Sequence, residues 1–541
     1  MKGSDGSTAM SGSAAMRGLR AWWPVAVLVV FWAAEISLVQ HWTTLPDADL
    51  SAASVAKVAV RRSILSLAAC TVVVCLCRGW LLVILFAAWA VAANLLVVYA
   101  TYFETPLSWP VVAAQWWEGL AVSDAGVAMT SWAVVGLAAV CLLLKVAVGA
   151  AIPRATLSPR RLRGMAAVAA CGYAAVAFYL AGVHKPPSQI RIGTPEYMYG
   201  YVVAWAAEML LLDEEALLAE ANDKARSKSD VLEDVRDSFA PGRHMVVIQV
   251  ESLDFAAIDA RVDGRPVMPF LRKLREVSML YSVKPFHDTG SSEADFSLLM
   301  AATPIGRLNP FQVKGFSYAE ALPRLARERG YRPVALHGNT GSFFHRRGAY
   351  EQMGFDELYF REELAPRRVA GEWDDQLLAF SASELAKATE PTLHFLITIT
   401  SHSPFNRLPR EKRELFPNPE TTEELYLNSI RYVDRALERY VAALPHGTTV
   451  VIYGDHESGV RGYAAGSGHD GRVPWLIHET GRDLSERQPS RASGLSLSGE
   501  LTQLDMACFL RTQIAGMRAV EGEPNRKRTL IAREPTTTTR Q

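Results

Sequence analysis

The stretch MVVIQVES (245–252) decides the architecture. Its first six residues form a short, nearly continuous apolar run, the pattern of a strand buried on both faces, and it ends abruptly in Glu251 and Ser252. FLITIT (395–400) and TVVIYG (449–454) repeat the pattern, and PVALHG (333–338) is a weaker fourth. Helical periodicity over 267–276, 319–329 and 423–443 separates these runs. Strands alternating with helices predict an α/β domain with a mostly parallel central sheet.

Each strong strand runs into polar residues: Glu251-Ser252, Ser401-His402-Ser403 and Asp455-His456. Open α/β sheets bind ligands outside the carboxyl ends of their strands, so Glu251, Asp455 and His456 are expected to converge in one crevice. Two carboxylates and an imidazole suit a divalent cation such as Mn²⁺ or Zn²⁺. A nucleophile is offered by HDTGSSEADFSLLM (287–300), where Gly290 permits a tight turn and Ser291 precedes an apolar-periodic run. Ser292 with Asp295 has the spacing of a capping box. A serine at a helix N-terminus meets free N–H groups and the positive end of the dipole, and beside a metal its hydroxyl becomes a usable nucleophile.

Upstream the composition changes. Residues 1–183 carry 12 Lys/Arg and 7 Asp/Glu, a net +5, and the remaining residues carry −5. Five apolar stretches, 24–40, 63–77, 80–101, 127–150 and 164–183, are long enough to cross a bilayer, which takes roughly 20 residues, although 63–77 must borrow flanking residues. Glu35 and Lys145 are the charges inside them. Arg17, Arg20, Arg154, Arg160, Arg161 and Arg163 fall on one side, while 102–126 carries no Lys or Arg; residue 184 onward is then extracytoplasmic. Lys57, Arg61 and Arg62 dissent from this rule, since they fall outside. Trp22, Trp23, Trp80, Trp116 and Trp117 read as interfacial anchors, and the aromatic loop 104–118 as a segment lying in the outer interface. No basic stripe spans a domain, which argues against nucleic-acid binding. Five of the six cysteines lie in apolar stretches and Cys508 is alone in the polar part, so no disulfide framework forms there. The expected organisation is a transmembrane domain (1–184), a helical stalk and linker (185–242) with helical periodicity over 196–222, an extracytoplasmic catalytic domain (243–520) and a disordered tail (521–541).

Taken in order, VIQVESLD, TGSSEADF, HGNTGSFFHRR, TSHSPF and YGDHES resemble the alkaline-phosphatase/sulfatase superfamily, and within it the lipoteichoic-acid-synthase branch of membrane phosphoglycerol transferases. The resemblance covers about 245–480 and implies an alkaline-phosphatase-like fold behind five transmembrane helices in a bacterial inner membrane. It implies one divalent metal ion, Mn²⁺ before Zn²⁺ or Mg²⁺, held by Glu251, Asp455, His456 and a nucleophile that falls on Ser291, with Ser292 as the rival position. A phosphoglycerol pocket falls on His337, Asn339, Phe343, Phe344 and Arg346, and a further histidine with a catalytic role on His402. Asn339 replaces an acid of the branch, Phe344 a tryptophan, and Ser291 a threonine.

The activity implied is transfer of phosphoglycerol from phosphatidylglycerol to a glycan or glycolipid hydroxyl through a covalent serine intermediate. In that chemistry Arg346 can clamp a phosphate in bidentate fashion, and His337 and His402 can donate to phosphoryl oxygens. A phosphoethanolamine transferase or a phosphodiesterase shares the layout, although the zinc-dependent phosphoethanolamine branch carries several disulfides that a lone Cys508 does not provide. A sulfatase needs C/S-x-P-x-R, whereas Ser291 is followed by Ser-Glu-Ala-Asp. An inactive membrane scaffold or sensor is the reading from another class, and the presence of every metal ligand argues against it.

Overall fold

The computed structural model describes residues 7–44, 52–103, 106–109, 111–113, 132–152, 158–183, 195–211, 214–226, 241–286, 291–305, 309–460, 462–464, 471–481 and 501–516. Gly290, Trp116, Trp117 and the segment 521–541, all singled out above, lie outside them.

Five long helices come first: α1 (Ser7–Thr43), α2 (Ala52–Leu76), α3 (Trp80–Phe103), α4 (Trp132–Ala150) and α5 (Pro159–Val183). Four contain a segment long and apolar enough to cross a membrane: Trp22–Thr43, Val55–Leu76, Trp80–Ala100 and Trp132–Ala150. The fifth expected span, 164–183, lies within α5. Val25, Leu28, Trp32, Cys70, Val74, Leu82 and Phe86 form the buried centre of the bundle, while Val30, Leu95, Leu143 and Val168 face outward. This inversion of the soluble pattern is what a lipid solvent selects. The two charges inside the spans meet: Lys145 Nζ lies 2.6 Å from Glu35 Oε2, with Lys145 fully buried. An ion inside a bilayer is tolerated when it is paired in this way.

The expected helix over 196–222 is three pieces: α6 (Pro195–Tyr199), α7 (Tyr201–Leu211) and α8 (Glu214–Arg226). Gly200 breaks the first two apart with φ +78°, a conformation glycine takes without penalty. Helix α7 is clipped to the loop after α3: Trp205 Nε1 donates to Leu107 O at 2.8 Å, and Trp109 N donates to Glu208 Oε2 at 2.8 Å. Helix α8 belongs to the following domain, since Leu217 and Ala221 are buried in that domain's core and Lys224 Nζ donates to Ile305 O at 3.1 Å.

That domain is built on seven strands: β1 (His244–Val250), β2 (Met279–Val283), β3 (Arg332–His337), β4 (Glu357–Tyr359), β5 (Thr392–Ile397), β6 (Thr449–Gly454) and β7 (Val473–Glu479). Their order is β2-β7-β6-β1-β5-β3-β4. All neighbours from β6 to β4 are parallel, and β7 and β2 add antiparallel pairings at one edge. Strand β1 is central, fully buried and alternates between two cores. Met245 and Val247 pack on the side of α10 (Ser292–Met300) and α14 (Gln503–Ala515). Val246, Ile248 and Val250 pack on the side of α9 (Pro269–Leu274), α12 (Asp374–Lys387) and α13 (Thr422–Ala443). Burial on both faces is why β1, β5 and β6 carry apolar runs rather than alternation. Strand β1 lies between β5 and β6, parallel to both, and their carboxyl ends open together into the crevice where sheets of this kind bind ligands.

Candidate active site

Two of the strand ends read from the sequence, those of β1 and β6, meet there. Glu251, Asp455 and His456 are buried, and each offers a ligand atom within 4.8 Å of the others. Ser291 caps the start of α10 and joins them: its Oγ donates to Glu251 Oε2 at 3.2 Å and lies 3.4 Å from His456 Nε2. Ser292 next to it is fully buried, and its Oγ has no hydrogen-bond partner. The capping-box expectation is corrected here. Asp295 does not close on Ser292; its Oδ2 accepts from Arg346 Nε at 2.9 Å and from Tyr350 Oη at 2.5 Å. Ser291, not Ser292, is the N-cap, so Asp295 stands one position beyond the third helical residue that a capping box uses, and its carboxylate is free to meet the guanidinium.

The backbone fixes the cluster. Asp455 Oδ1 accepts from Ser252 N and His456 N, both at 2.8 Å, while its buried Oδ2 has no hydrogen-bond partner. His456 Nδ1 donates to Glu457 O at 2.7 Å, which directs Nε2 at Glu251 Oε1 (3.2 Å) and Asp455 Oδ2 (3.6 Å). A histidine held by a carbonyl at Nδ1 and presenting Nε2 has the arrangement of a metal ligand. The orphaned carboxylate oxygen, the second carboxylate, the aimed imidazole and the serine hydroxyl together fit a divalent cation. Burial and the neighbouring Glu251 push the Asp455 carboxyl up to about 8. Glu251 is held below the usual range, because His402 and His456 outweigh its burial. Asp455 and Glu251 likewise overcome burial at His456 and raise it to about 10.

Other residues hold these ligands. Gln503, from α14, donates through Nε2 to Gly454 O (3.0 Å) and Asp455 O (2.7 Å). Asp254 accepts from Ser458 N (2.7 Å), Ser458 Oγ (2.6 Å) and Tyr463 Oη (2.6 Å), which pins the loop behind His456. Gln249 Nε2 donates to Ser291 O at 3.2 Å. Asp254 and Gln503 were not among the residues expected from the sequence, and Asp295 was expected only as a capping partner of Ser292. No spacing marks a lone Asp or Gln, although Asp295, one helical turn after Ser291, sits on the side of α10 that a second reading could have singled out.

The other expected residues surround this cluster, with His337, Arg346 and His402 near enough to Glu251 to feel its charge. His337, at the end of β3, donates from Nδ1 to Ile397 O at 3.0 Å, and burial pushes its pKa down to about 3. His402 donates from Nδ1 to Ser403 O at 2.7 Å, and burial lowers it as well. Both rings, expected as donors to phosphoryl oxygens, therefore present Nε2 as an acceptor when neutral. Arg346 is 2 % exposed; Asp295 takes its Nε, its guanidinium lies 5.0 Å from the Phe344 ring centroid, and Nη2 is buried without a partner. One edge of the expected bidentate clamp is thus already occupied. Phe343 and Phe344 lie against each other with centroids 4.4 Å apart. Asn339 Oδ1 accepts from Thr340 N at 2.8 Å and is turned toward its own loop.

The loops that carry these residues are strained. Ser252, Phe344, His345 and Phe405, none of them glycine, have φ between 53° and 62°. Each costs about 1 kcal/mol or more, and such residues gather where a site overrides local preference.

Residues 243–495 match the Sulfatase family model. They form a sulfatase-family domain. Lipoteichoic acid synthase of Staphylococcus saprophyticus subsp. saprophyticus is 26% identical over 323 residues, covering 56% of this chain and 48% of that protein. The chain thus spans about half the length of that relative. Among solved structures, lipoteichoic acid synthase LtaP from Listeria monocytogenes is 23% identical over 49% of this chain and 72% of its own, with a TM-score of 0.41. Lipooligosaccharide phosphoethanolamine transferase A from Neisseria meningitidis is 12% identical over 91% and 95%, with a TM-score of 0.48. The sulfatase-family domain contains Glu251, Ser291, Asp455 and His456. The membrane helices and α8 precede it.

Proposed function

We propose that the protein is a metal-dependent membrane phosphotransferase that moves phosphoglycerol from phosphatidylglycerol to a hydroxyl of a glycan or glycolipid. The observation that carries this reading is the contact of Ser291 Oγ with both Glu251 and His456 inside the buried acidic cluster. Glu251, Asp455, His456 and Ser291 would hold the ion, Mn²⁺ first among candidates; when bound, it supplies Lewis acidity to the serine hydroxyl and to phosphoryl oxygens.

Ser291 Oγ attacks phosphorus and forms the Oγ–P bond while the bond to the diacylglycerol oxygen breaks. Glu251, already accepting from that hydroxyl, receives the serine proton. The proton held by Glu251 leaves on the departing diacylglycerol oxygen; His402 Nε2, an acceptor, then removes the proton of the incoming acceptor hydroxyl and returns it to Ser291 Oγ as the Oγ–P bond breaks. Arg346 balances charge on the phosphoryl oxygens. His337 Nε2 accepts from a head-group hydroxyl, with Phe343 and Phe344 against the carbon chain. Asn339, standing where the branch has an acid, offers no charge to an ammonium group, which favours glycerol over ethanolamine.

In this reading 1–184 anchors the chain in a bacterial inner membrane, 185–242 connects, and 243–520 works on the extracytoplasmic side. The basic residues Arg160, Arg161 and Arg163 at the end of the bundle remote from the sulfatase-family domain support that orientation. The test is mass spectrometry of the full-length protein after incubation with Mn²⁺ and phosphatidylglycerol. A glycerol-phosphate adduct on the Ser291 peptide, absent from Ser291→Ala, is expected. An adduct formed from phosphatidylethanolamine instead overturns the head group and leaves the serine chemistry.

A further inference from the structure

The membrane bundle buries two kinds of cation. Lys145 has its carboxylate, Glu35, at 2.6 Å. Arg61 and Arg62 have none: among the described residues neither forms an ion pair. Arg62 is 2 % exposed, and its Nη1 donates to Thr44 Oγ1 (2.7 Å) and Gln40 O (3.2 Å). Its guanidinium lies 5.2 Å from the Tyr197 ring centroid, and its Nε is buried without a hydrogen-bond partner. The Arg61 guanidinium lies 5.9 Å from the Tyr199 ring, and its Nη1 is likewise buried without a partner. Neutral oxygens and ring faces offset part of the cost of burying a charge, but a full counter-charge is what removes it.

The place of these residues says what that anion is. Tyr201 Oη donates to Thr43 Oγ1 at 2.8 Å, so Arg62, Thr44 and the root of α7 share the end of the bundle that faces the sulfatase-family domain. Lys57 is exposed one turn before Arg61 on α2, about 6 Å further along the helix axis. Val60 and Ile64, on the outward face beside Arg61, are 59% and 54% exposed, as lipid-facing residues are. A ligand here must be anionic at the level of Lys57 and Arg61 and apolar alongside Val60 and Ile64. These are also the basic residues that break the charge rule for the orientation of the spans.

We propose that Lys57 and Arg61, backed by the buried Arg62, bind the phosphodiester group of a phospholipid in the leaflet facing the sulfatase-family domain. This is a lipid site separate from the acidic cluster. It rests on the reading of α1–α5 as a membrane bundle and not on the phosphotransfer reading. Arg61 and Lys57 contact the phosphate, Arg62 supplies fixed charge behind them, and the acyl chains run along Val60 and Ile64.

Native mass spectrometry of the full-length protein in detergent tests this, with phosphatidylglycerol, phosphatidic acid, phosphatidylcholine and diacylglycerol added separately. All measurements are made with Ser291→Ala, so turnover does not consume the lipid. Retention of phosphatidylglycerol over diacylglycerol by about tenfold is expected, as for loss of one charge-assisted contact. Arg61→Gln and Lys57→Gln each reduce that preference, together they abolish it, and Arg61→Lys keeps most of it. Equal retention of the three phospholipids identifies a general phosphate clamp, and preference for phosphatidylglycerol identifies a site for the donor type; both support the proposal. The proposal is overturned if diacylglycerol is held as well as the phospholipids, or if the Lys57/Arg61 double variant, eluting as a single species like the parent, keeps the preference.

Discussion

Arg346 Nε and Asp295 Oδ2 lie 2.9 Å apart with both side chains buried, and Asp295 stands one turn along the helix that Ser291 opens. The arginine beside the acidic cluster is therefore tied to the helix that presents the serine. Breaking such a pair from one side leaves a buried charge without compensation, at about 3–5 kcal/mol. Asp295→Asn is expected to destabilise the protein by that order and to abolish phosphotransfer. Asp295→Leu/Arg346→Met is expected to regain most of the stability and none of the activity. Thermal unfolding and turnover of the same samples separate the two effects; a double variant no more stable than Asp295→Asn contradicts this account.

Ser291 and Ser292 are neighbours with different surroundings. Ser291 Oγ touches Glu251 and His456, and Ser292 Oγ touches no polar partner. Ser291→Ala is expected to lower turnover by about a thousandfold or more, the scale of losing a nucleophile, while Ser292→Ala stays within about threefold. Diacylglycerol release from phosphatidylglycerol measures both. The reverse ranking would move the nucleophile by one residue.

The acidic cluster should make stability depend on metal. Mn²⁺ at about a hundred times its Kd is expected to stabilise the fold by about 2.7 kcal/mol, read as a rise in unfolding temperature that a chelator reverses. Glu251→Gln and Asp455→Asn should lose the response. Asp455→Asn keeps an oxygen for the two backbone N–H groups and removes a carboxyl that burial disfavours, so without metal it should unfold no earlier than the parent.

A histidine far from the cluster sets part of the acid limit. His394 is buried in β5, bonded through Nδ1 to Ser381 Oγ at 2.8 Å, and burial pushes its pKa down to about 3. Unfolded, it takes up a proton near pH 6.5, so between those values the unfolded chain binds more protons than the folded one. Stability from this group is complete above pH 6.5 and falls with pH, by up to about 1.4 kcal/mol per unit. Unfolding temperatures from pH 7.5 to 5 should fall less steeply for His394→Gln than for the parent. Parallel curves would assign the acid sensitivity elsewhere.

Much of this was legible in the sequence because burial on both faces writes a strand as an apolar run. MVVIQV and TVVIYG lie on β1 and β6, PVALHG passes the end of β3 by Gly338 alone, and the last three residues of FLITIT pass beyond β5. The antiparallel strands β2 and β7 escaped: MLYSV is short and mixed, and VPWLIHE contains a proline and two polar residues. The residues that orient the ligands were illegible for another reason. Asp254, Asp295 and Gln503 act through partners far along the chain, and a lone acid in a helix ordinarily faces water. The tautomers of His337 and His402 depend on carbonyls that only the folded backbone brings into reach.

Helices α7 and α8, two residues apart, have opposite allegiances: one is bonded to the loop after α3, the other is part of the sulfatase-family core. The catalytic crevice is consequently mounted at a set stand-off from the bilayer rather than swinging on a tether. In the proposed reading a donor lipid must rise to meet it and an acceptor hydroxyl must be delivered to that height, so which hydroxyls are reached is a property of the mounting as much as of the chemistry.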